Sequence, residues 1–148
     1  MEQNENTTNA RQPENGAAEP SYSELVAVRR EKLAALQQAG QDPFERTSWP
    51  QSDYAQPVKD AFVDPAEGEH GPAVCMAGRM MSKRVMGKAS FADLRDCTGR
   101  IQLYVRREDV GVEEYQAFKK FDIGDIVGVR GFVFRTKMGE ISVHVTEI

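Results

Sequence analysis

Residues 76–107 decide the fold, and they read MAGRMMSKRVMGKASFADLRDCTGRIQLYVRR. Apolar and polar side chains alternate through much of this stretch, which is the pattern of β-strands with one buried face. The stretch carries eight Lys or Arg residues and only two Asp residues, in a chain whose net charge is −4. Cations can follow phosphates and an aromatic ring can stack on a base, so this composition favours a sheet that binds single-stranded nucleic acid.

Alternation separates the two faces of the strands that flank Thr98-Gly99. One face is aliphatic and carries Ala92, Leu94, Ile101, Leu103 and Val105. The other face is polar and aromatic and carries Phe91, Asp93, Arg95, Gln102 and Tyr104. If the aliphatic face is the core, Phe91 stands outside among polar neighbours as a contact surface. The alternative, which the sequence leaves open, is that another element of the same chain covers Phe91.

Length and composition exclude several classes of protein. At 148 residues we expect one domain with a tail. No apolar run approaches the roughly 18 residues of a membrane span, and the N-terminus lacks the apolar segment of a signal peptide. Cys75 and Cys97 are the only cysteines, which suits a cytoplasmic protein with reduced thiols. We therefore expect a cytoplasmic protein that does not contact membranes.

The net charge hides a division of the chain. Residues 1–72 carry six Lys or Arg and thirteen Asp or Glu, whereas residues 73–148 carry thirteen and ten. The second part is therefore basic, and it is the part from which a partner should be inferred. Metal chemistry is not expected, because Cys75, Cys97, His70 and His144 lack the spacing of metal ligands. The sequence also shows no Gly-rich phosphate loop and no nucleophile constellation.

The N-terminal half divides into three segments. Residues 1–20 are polar and should form a disordered tail. Residues 21–40 should form a helix, because Ser21 and Glu24 fit a capping box and Gly40 is a plausible stop. Residues 41–72 contain five prolines and few periodic apolar residues, so we expect a connector that lies along a domain surface through Phe44 and Trp49, with no regular structure readable from the pattern.

The remaining residues, 73–148, predict a small, mainly β domain. Strands are expected at 73–84, 89–96, 100–106, 126–135 and 140–148, with a helix at 112–121. A bulge is expected at Gly78 in the first strand. Three strands, a helix and two more strands give the order of the five-stranded OB barrel, whose second and third strands present the nucleic-acid face.

Several stretches carry a family resemblance: RREKLAAL, GQDPF, GRMMSKRVMGKASFADLRDCTGRIQLYV, FKKFDIGDIVGVRG and FRTKMGEISVHVTEI. Residues 22–148 resemble the N-terminal region of bacterial class II lysyl-tRNA synthetase (lysine–tRNA ligase). The spaced pattern GR…F..LRD..G..Q is shared with the aspartyl- and asparaginyl-tRNA synthetases. The stretches RMMSKRVMGKASF and TKMGE are more specific to the lysyl family. The resemblance implies an OB-fold domain that binds the anticodon stem-loop of lysine tRNA, a run of uridines.

The resemblance also implies roles for particular residues. Phe91 corresponds to the aromatic residue that stacks under an anticodon base, and Gln102 and Glu140 correspond to residues that hydrogen-bond base edges. Arg84 corresponds to a basic residue beside the anticodon. Weaker expectations, as generic backbone contacts, concern Lys83, Lys88 and Arg100. Uracil suits this set, because its N3–H can donate to a carboxylate and its carbonyls can accept from an amide.

The family's class II aminoacylation needs a catalytic domain that this sequence lacks. ATP and Mg²⁺ would belong to that domain, so we expect no cofactor in this chain and no aminoacylation by it alone. The family forms homodimers, but the oligomeric state of this chain stays open. The chain is expected to be either a fragment of the ligase or a free-standing relative. Two alternatives are a general single-strand binder built on the same barrel and an OB domain used for protein association.

Overall fold

A computed structural model describes residues 20–148, so nearly all of the predicted disordered tail over residues 1–20 lies outside the described residues. The chain divides into two compact units, of which the first ends at Thr47 and the second is Ser48–Ile148. Within residues 20–148, no helix is both long and apolar enough to cross a membrane.

In the described part of the first unit, residues 20–47, there is one helix, α1 (Tyr22–Gln38). The predicted capping box is confirmed, because the Ser21 side chain accepts from the Glu24 N–H and the Ser21 N–H donates to the Glu24 carboxylate at 2.6 Å. These bonds lower the pKa of Glu24 below its ordinary value. The helix ends at Ala39, and Gly40 follows with a φ of +71°, a conformation that glycine adopts without strain.

The second unit is a closed five-stranded barrel with three short helices, which confirms the predicted OB architecture. Its elements are α2 (Ala55–Ala61), β1 (Ala73–Met86), β2 (Ala89–Arg95), β3 (Arg100–Arg106), α3 (Arg107–Val110), α4 (Val112–Lys120), β4 (Ile126–Arg135) and β5 (Ile141–Glu147). Around the barrel the order is β1-β2-β3-β5-β4, with β3 and β5 parallel and the other pairs antiparallel. Closure leaves no sheet edge to pair with another chain.

The inward faces of the strands form the core, as alternation predicted. The fully buried aliphatic residues include Leu94, Ile101, Leu103, Val105, Val129, Val133, Val143 and Val145. Helix α4 closes the barrel with Tyr115 and Phe118, both also fully buried. The Tyr115 hydroxyl lies 2.7 Å from the Ser90 hydroxyl and donates to the Gly87 carbonyl at 3.0 Å, so it is not left unpaired in the core.

The bulge in β1 lies three residues after its predicted position at Gly78. Register between β1 and β2 shifts between Met80 and Ser82, which places the extra residue at Met81 rather than at Gly78. Gly78 has another role, because a Cβ there would meet the Arg95 carbonyl oxygen at 2.5 Å. The glycine therefore allows β1 and β2 to approach closely where β1 passes from pairing with β4 to pairing with β2.

Helix α2 interrupts the connector in which the sequence predicted no regular structure. Its first N–H groups are bound from a distant turn: the Ala55 N–H donates to the Asp96 carboxylate at 2.7 Å and the Gln56 N–H to the Thr98 hydroxyl at 3.0 Å. Ala55 itself is buried against the barrel. The N-cap residue Tyr54 makes no side-chain cap, so the local sequence carries no helix-start signal.

Candidate nucleic-acid interface

The register of the barrel gathers aromatic rings on its outer face. Cross-strand pairing places Phe91 beside Tyr104, Tyr104 beside His144, and His144 beside Phe132. The ring centroids in that order are 5.0, 5.3 and 4.6 Å apart, and His70 continues the line at 4.4 Å from Phe132. We call Phe91, Tyr104, His144, Phe132 and His70 the aromatic row. Such separations are those of favourable ring pairs.

Phe91 lies on the outer face and is partly exposed, not in the barrel core. Arg84 is its partner on β1, and the guanidinium carbon lies 5.5 Å from the centre of the Phe91 ring. Tyr104 is its partner on β3. Because β1 and β3 lie on opposite sides of β2, a cation flanks the ring on one side and a phenol ring on the other.

Gln102 lies two residues before Tyr104 on β3, on the same outer face, and it is partly exposed. Its amide oxygen accepts a hydrogen bond from the Ser142 hydroxyl at 2.9 Å. Ser142 alternates with the inward residues Val143 and Val145 and so belongs to the outer face of β5. It is nevertheless fully buried between the neighbouring strands that carry Gln102 and Phe134. With its oxygen occupied, the Gln102 amide presents its N–H donors to a ligand.

Glu140 lies in the loop between β4 and β5, one residue before the strand that was predicted to begin with it. Its backbone closes the turn, because the Glu140 N–H donates to the Thr136 hydroxyl at 3.1 Å and its carbonyl accepts from the Thr136 N–H at 2.9 Å. The side chain is exposed, and within residues 20–148 no group pairs with its carboxylate. The loop therefore fixes the backbone while the carboxylate is exposed to solvent.

The three weaker candidates among the cations differ in their surroundings. The Lys83 ammonium donates to the carbonyls of Lys119, at 2.9 Å, and of Phe121 at the end of α4, so it is engaged in the fold. Lys88 is exposed in the turn between β1 and β2. Arg100 is exposed and is paired at 2.8 Å with Asp93, which is the cross-strand partner of Gln102.

The middle of the aromatic row is braced by charges from α3. Nε2 of His144 lies 2.7 Å from the Asp109 carboxylate, and Nε of Arg106 lies 3.5 Å from the same carboxylate. The negative charge of Asp109, with a hydrogen bond to Glu108, raises the pKa of Arg106 above its ordinary value. These contacts hold the His144 ring edge-on to Tyr104.

The sequence did not single out four rings of this surface. Tyr104 was placed on the outer face by alternation without a role, and His144 was considered only as a metal ligand. Phe132 and Phe134 lie in a nearly continuous apolar run, FVF, where the inward face could not be read. The signal that finds them is cross-strand register, which a single sequence does not contain. Within residues 20–148, no group of three or more His, Cys, Asp or Glu residues could hold a metal ion.

Comparisons with known proteins agree with this geometry. Residues 74–148 match the tRNA anticodon family model, described as an OB-fold nucleic acid binding domain. The chain is 49% identical over 131 residues to the lysine–tRNA ligase of Syntrophomonas wolfei, covering 88% of this chain and 26% of that protein. It is 52% identical over 129 residues to the lysine–tRNA ligase of Pelotomaculum thermopropionicum, covering 84% and 24%.

Among solved structures, the asparaginyl-tRNA synthetase of Pyrococcus horikoshii complexed with asparaginyl-adenylate aligns with a TM-score of 0.49 and 31% identity. That alignment covers 53% of this chain and 18% of the synthetase chain. The chain spans about a quarter of the length of the lysine–tRNA ligases it matches.

Proposed function

The chain belongs to the tRNA anticodon family of OB-fold nucleic acid binding domains, and from this premise we propose that it recognises the uridine anticodon of lysine tRNA. Phe91 stacks on a base, Gln102 and Glu140 bind base edges, and Arg84 contacts the RNA beside Phe91. Strand register supports the proposal, because Phe91 pairs with Arg84 on β1 and with Tyr104 on β3, two residues from Gln102. The Ser142 hydroxyl links the loop to this face, since it lies 2.9 Å from the Gln102 amide oxygen and 3.4 Å from the Glu140 carbonyl oxygen.

Stacking on Phe91 requires a change at Arg84. Tyr104 and Arg84 flank the two sides of the Phe91 ring, so a base that stacks on the ring displaces the guanidinium or is sandwiched by it. A displaced guanidinium remains close enough to meet the phosphate of the same nucleotide. In the free protein the guanidinium therefore covers an aromatic surface that would otherwise be exposed to water.

Base choice follows from the directions of the polar groups. The Gln102 amide oxygen is occupied by Ser142, so its N–H groups donate to a uracil carbonyl. The Glu140 carboxylate accepts the uracil N3–H. Cytosine offers a lone pair at N3, which would face the carboxylate without a hydrogen bond. Discrimination then comes mainly from the polar groups that the wrong base leaves unpaired.

The proposal for the whole protein is wider than this domain. We propose that the chain serves lysyl-tRNA formation as the tRNA-recognition part of a lysine–tRNA ligase in the cytoplasm. No step of aminoacylation is assigned to the residues of this chain, and the ATP and Mg²⁺ of that reaction are proposed to bind outside it. A tRNA anticodon is thus its proposed partner.

A binding experiment with matched RNA loops tests the proposal. We expect a stem-loop with a UUU anticodon to bind more tightly than loops with CUU, UCU or UUC, and we expect Phe91→Ala to weaken the UUU complex by about 1–3 kcal/mol, the usual worth of one stacked base. Tyr54→Ala is the control, because it removes an exposed aromatic residue at the start of α2. Fluorescence anisotropy across a salt series is the measurement.

Three outcomes separate the candidate functions. A preference for UUU, with a UUU complex that Phe91→Ala weakens and Tyr54→Ala does not, supports anticodon recognition. Equal affinity for all loops and for an unrelated single strand, with the same salt slope, indicates a general single-strand binder. No RNA binding, with Phe91 protected by a protein partner, indicates an association domain.

A further inference from the structure

We propose that Phe132 and His70 form a second base-stacking site, which takes a nucleotide adjacent to the anticodon. The proposal rests on the proposed function and extends it from the anticodon bases to their neighbour. It is carried by the aromatic row, which does not stop at Phe91 but crosses β3 and β5 to β4. A single-stranded RNA that starts on Phe91 meets rings along the whole of this path.

The Phe132 end of the row has the geometry of a stacking platform. Phe132 lies between the two histidines of the chain: His144 is stacked on it at 22° and 4.6 Å, and His70 is tilted against it at 47° and 4.4 Å. His70 is exposed and ends the row. A base can therefore continue the row by stacking against His70, or by taking its place over Phe132.

The row is continuous because its middle is held in place. The His144 ring is bound by Asp109 at 2.7 Å, and Asp109 is in turn paired with Arg106. The His144 side chain is only 16% exposed, so packing restricts the ring as well. The His144 ring is thereby held edge-on to Tyr104 at 89° and stacked on Phe132 at 22°.

Cations accompany the rings, as a nucleic-acid path requires. Arg106 lies two residues after Tyr104 on the outer face of β3, and Arg130 lies two residues before Phe132 on the outer face of β4. Their side chains are 38% and 46% exposed. Both are paired with carboxylates of the same surface, Glu108 and Glu147, and an RNA phosphate would compete for these pairs.

A purely structural role for Phe132 and His70 makes a different prediction. The segment before β1 packs closely on β4, because a Cβ at Gly71 would meet the Val133 carbonyl oxygen at 1.9 Å and the Phe62 ring at 3.3 Å. The rings could serve only to hold this segment. Phe62 belongs to the same segment but not to the aromatic row, so Phe62→Leu is a matched control for that role.

The test uses the whole chain and heptamer RNAs that all carry UUU at the centre. The reference probe is AAUUUAA, and in two further probes the adenosines on the 5′ side or on the 3′ side are replaced by abasic sugars. All three probes carry the same phosphate charge. The quantity measured is the ratio of Kd for each abasic probe to Kd for AAUUUAA, in the wild type, Phe132→Leu, His70→Leu and Phe62→Leu. Thermal unfolding establishes that each variant is folded at the temperature used.

We expect a ratio of about 5-fold or more on one side of the anticodon in the wild type, since a stacked base contributes at least that much. The ratio should fall to near one in Phe132→Leu and His70→Leu and persist in Phe62→Leu. A wild-type ratio near one on both sides overturns the proposal. So does a ratio that survives in Phe132→Leu and His70→Leu, or one that Phe62→Leu also abolishes.

The two proposals fail in distinguishable ways. If AACCCAA binds as tightly as AAUUUAA while the abasic ratio still depends on Phe132, uridine recognition is overturned and the second site stands. If UUU is preferred and Phe91→Ala weakens it, but no abasic ratio exists, the anticodon proposal stands and the second site is overturned. If no probe binds, both are overturned.

Discussion

At the level of single residues, the proposed recognition of uridine by Gln102 depends on a buried hydroxyl. Ser142 is fully buried, and a buried hydroxyl that lacks a partner costs free energy. It finds one in the Gln102 amide oxygen, at 2.9 Å. The bond fixes which end of the amide faces solvent, although Ser142 itself is inaccessible to a ligand. A residue of the second layer thus sets the hydrogen-bonding direction of a residue at the surface.

Replacing Ser142 tests this relation. Ser142→Ala frees the Gln102 amide to rotate, so we expect the preference for uridine over cytidine to fall by about 2- to 10-fold, the worth of one hydrogen bond. Stem-loop affinities for UUU and UCU measure the ratio. Ser82→Ala is the control, because its hydroxyl binds Asp93 at an exposed position on β1. An unchanged ratio in Ser142→Ala would show that Gln102 keeps its orientation without this bond.

The sequence predicts the position of Phe91 and Gln102 well, because a strand with one aliphatic face leaves no doubt about the other. It does not predict what those side chains touch. Ser142 has the alternation of an outward residue and is nevertheless buried by its cross-strand neighbours. Phe132 sits in a run where both faces are apolar. In both cases the missing information is non-local register, which depends on pairing between strands.

At the level of elements, Lys83 illustrates how a basic residue in a nucleic-acid domain can serve the fold. The resemblance suggested a contact with the RNA backbone, and the structure places its ammonium at the last carbonyls of α4. A helix C-terminus carries partial negative charge, so a cation there stabilises the helix. The contact joins β1 to the helix that closes the barrel.

We expect Lys83→Met to lower the free energy of unfolding by about 1–3 kcal/mol, because charged hydrogen bonds at the end of α4 are lost. The preference for uridine should stay as in the wild type. Urea denaturation and stem-loop binding give the two readouts. Lys88→Met is the matched control, since Lys88 is exposed in the β1–β2 turn. A large loss of RNA affinity with unchanged stability would return Lys83 to the binding surface.

Helix α2 depends on a cap supplied by the β2–β3 turn, which explains why it escaped prediction. The Asp96 carboxylate is about forty residues away along the chain, and it binds the N–H groups of Ala55, Thr98 and Gly99. Partial burial opposes the charge of Asp96, but the Thr98 hydroxyl and these N–H groups together lower its pKa below the ordinary value of 3.8. The charged form is therefore the one that stabilises the fold.

A pH series tests this contribution. With a folded pKa below the unfolded one, the stabilisation is complete above about pH 4 and is lost as the pH falls through the folded pKa. Asp96→Asn should reduce the free energy of unfolding by about 1–2 kcal/mol near pH 7, the usual worth of a helix cap. The difference from the wild type should shrink below pH 4. A difference that is constant from pH 7 to pH 2 would show that charge is not the cause.

At the level of the whole molecule, the domain predicted from the sequence and the compact unit that contains it begin at different residues. The net positive charge and the five strands lie within residues 73–148, where the sequence placed the domain. The compact unit begins at Ser48. The intervening residues supply no strand, yet they satisfy barrel groups: the N–H groups of Ser52 and Asp53 donate to the Cys75 carbonyl, and the Asp53 carboxylate accepts from the Cys75 N–H at 2.9 Å.

The Trp49 ring adds an apolar contact of the same kind. It packs on Gly128 so closely that a Cβ there would lie 2.4 Å from the ring, and the Arg130 guanidinium lies 5.2 Å from the ring centre. The sequence predicted a surface contact for Trp49, and Trp49 packs on Gly128. A proline-rich stretch without periodicity does not reveal the hydrogen bonds that Ser52 and Asp53 make to Cys75. The stretch behaves as a strap that completes the second unit.

Two fragments decide where the domain begins in thermodynamic terms. We expect residues 48–148 to unfold cooperatively and to bind the UUU stem-loop through Phe91. Residues 73–148 should be less stable by several kcal/mol, because the fragment loses the Trp49 contact, the bonds to Cys75 and the helix that pairs with Asp96, which are each worth about 1–3 kcal/mol. Urea denaturation of both fragments measures the difference. Equal stability would mean that the strap is dispensable and that the barrel alone, as its sequence pattern suggested, is the folding unit.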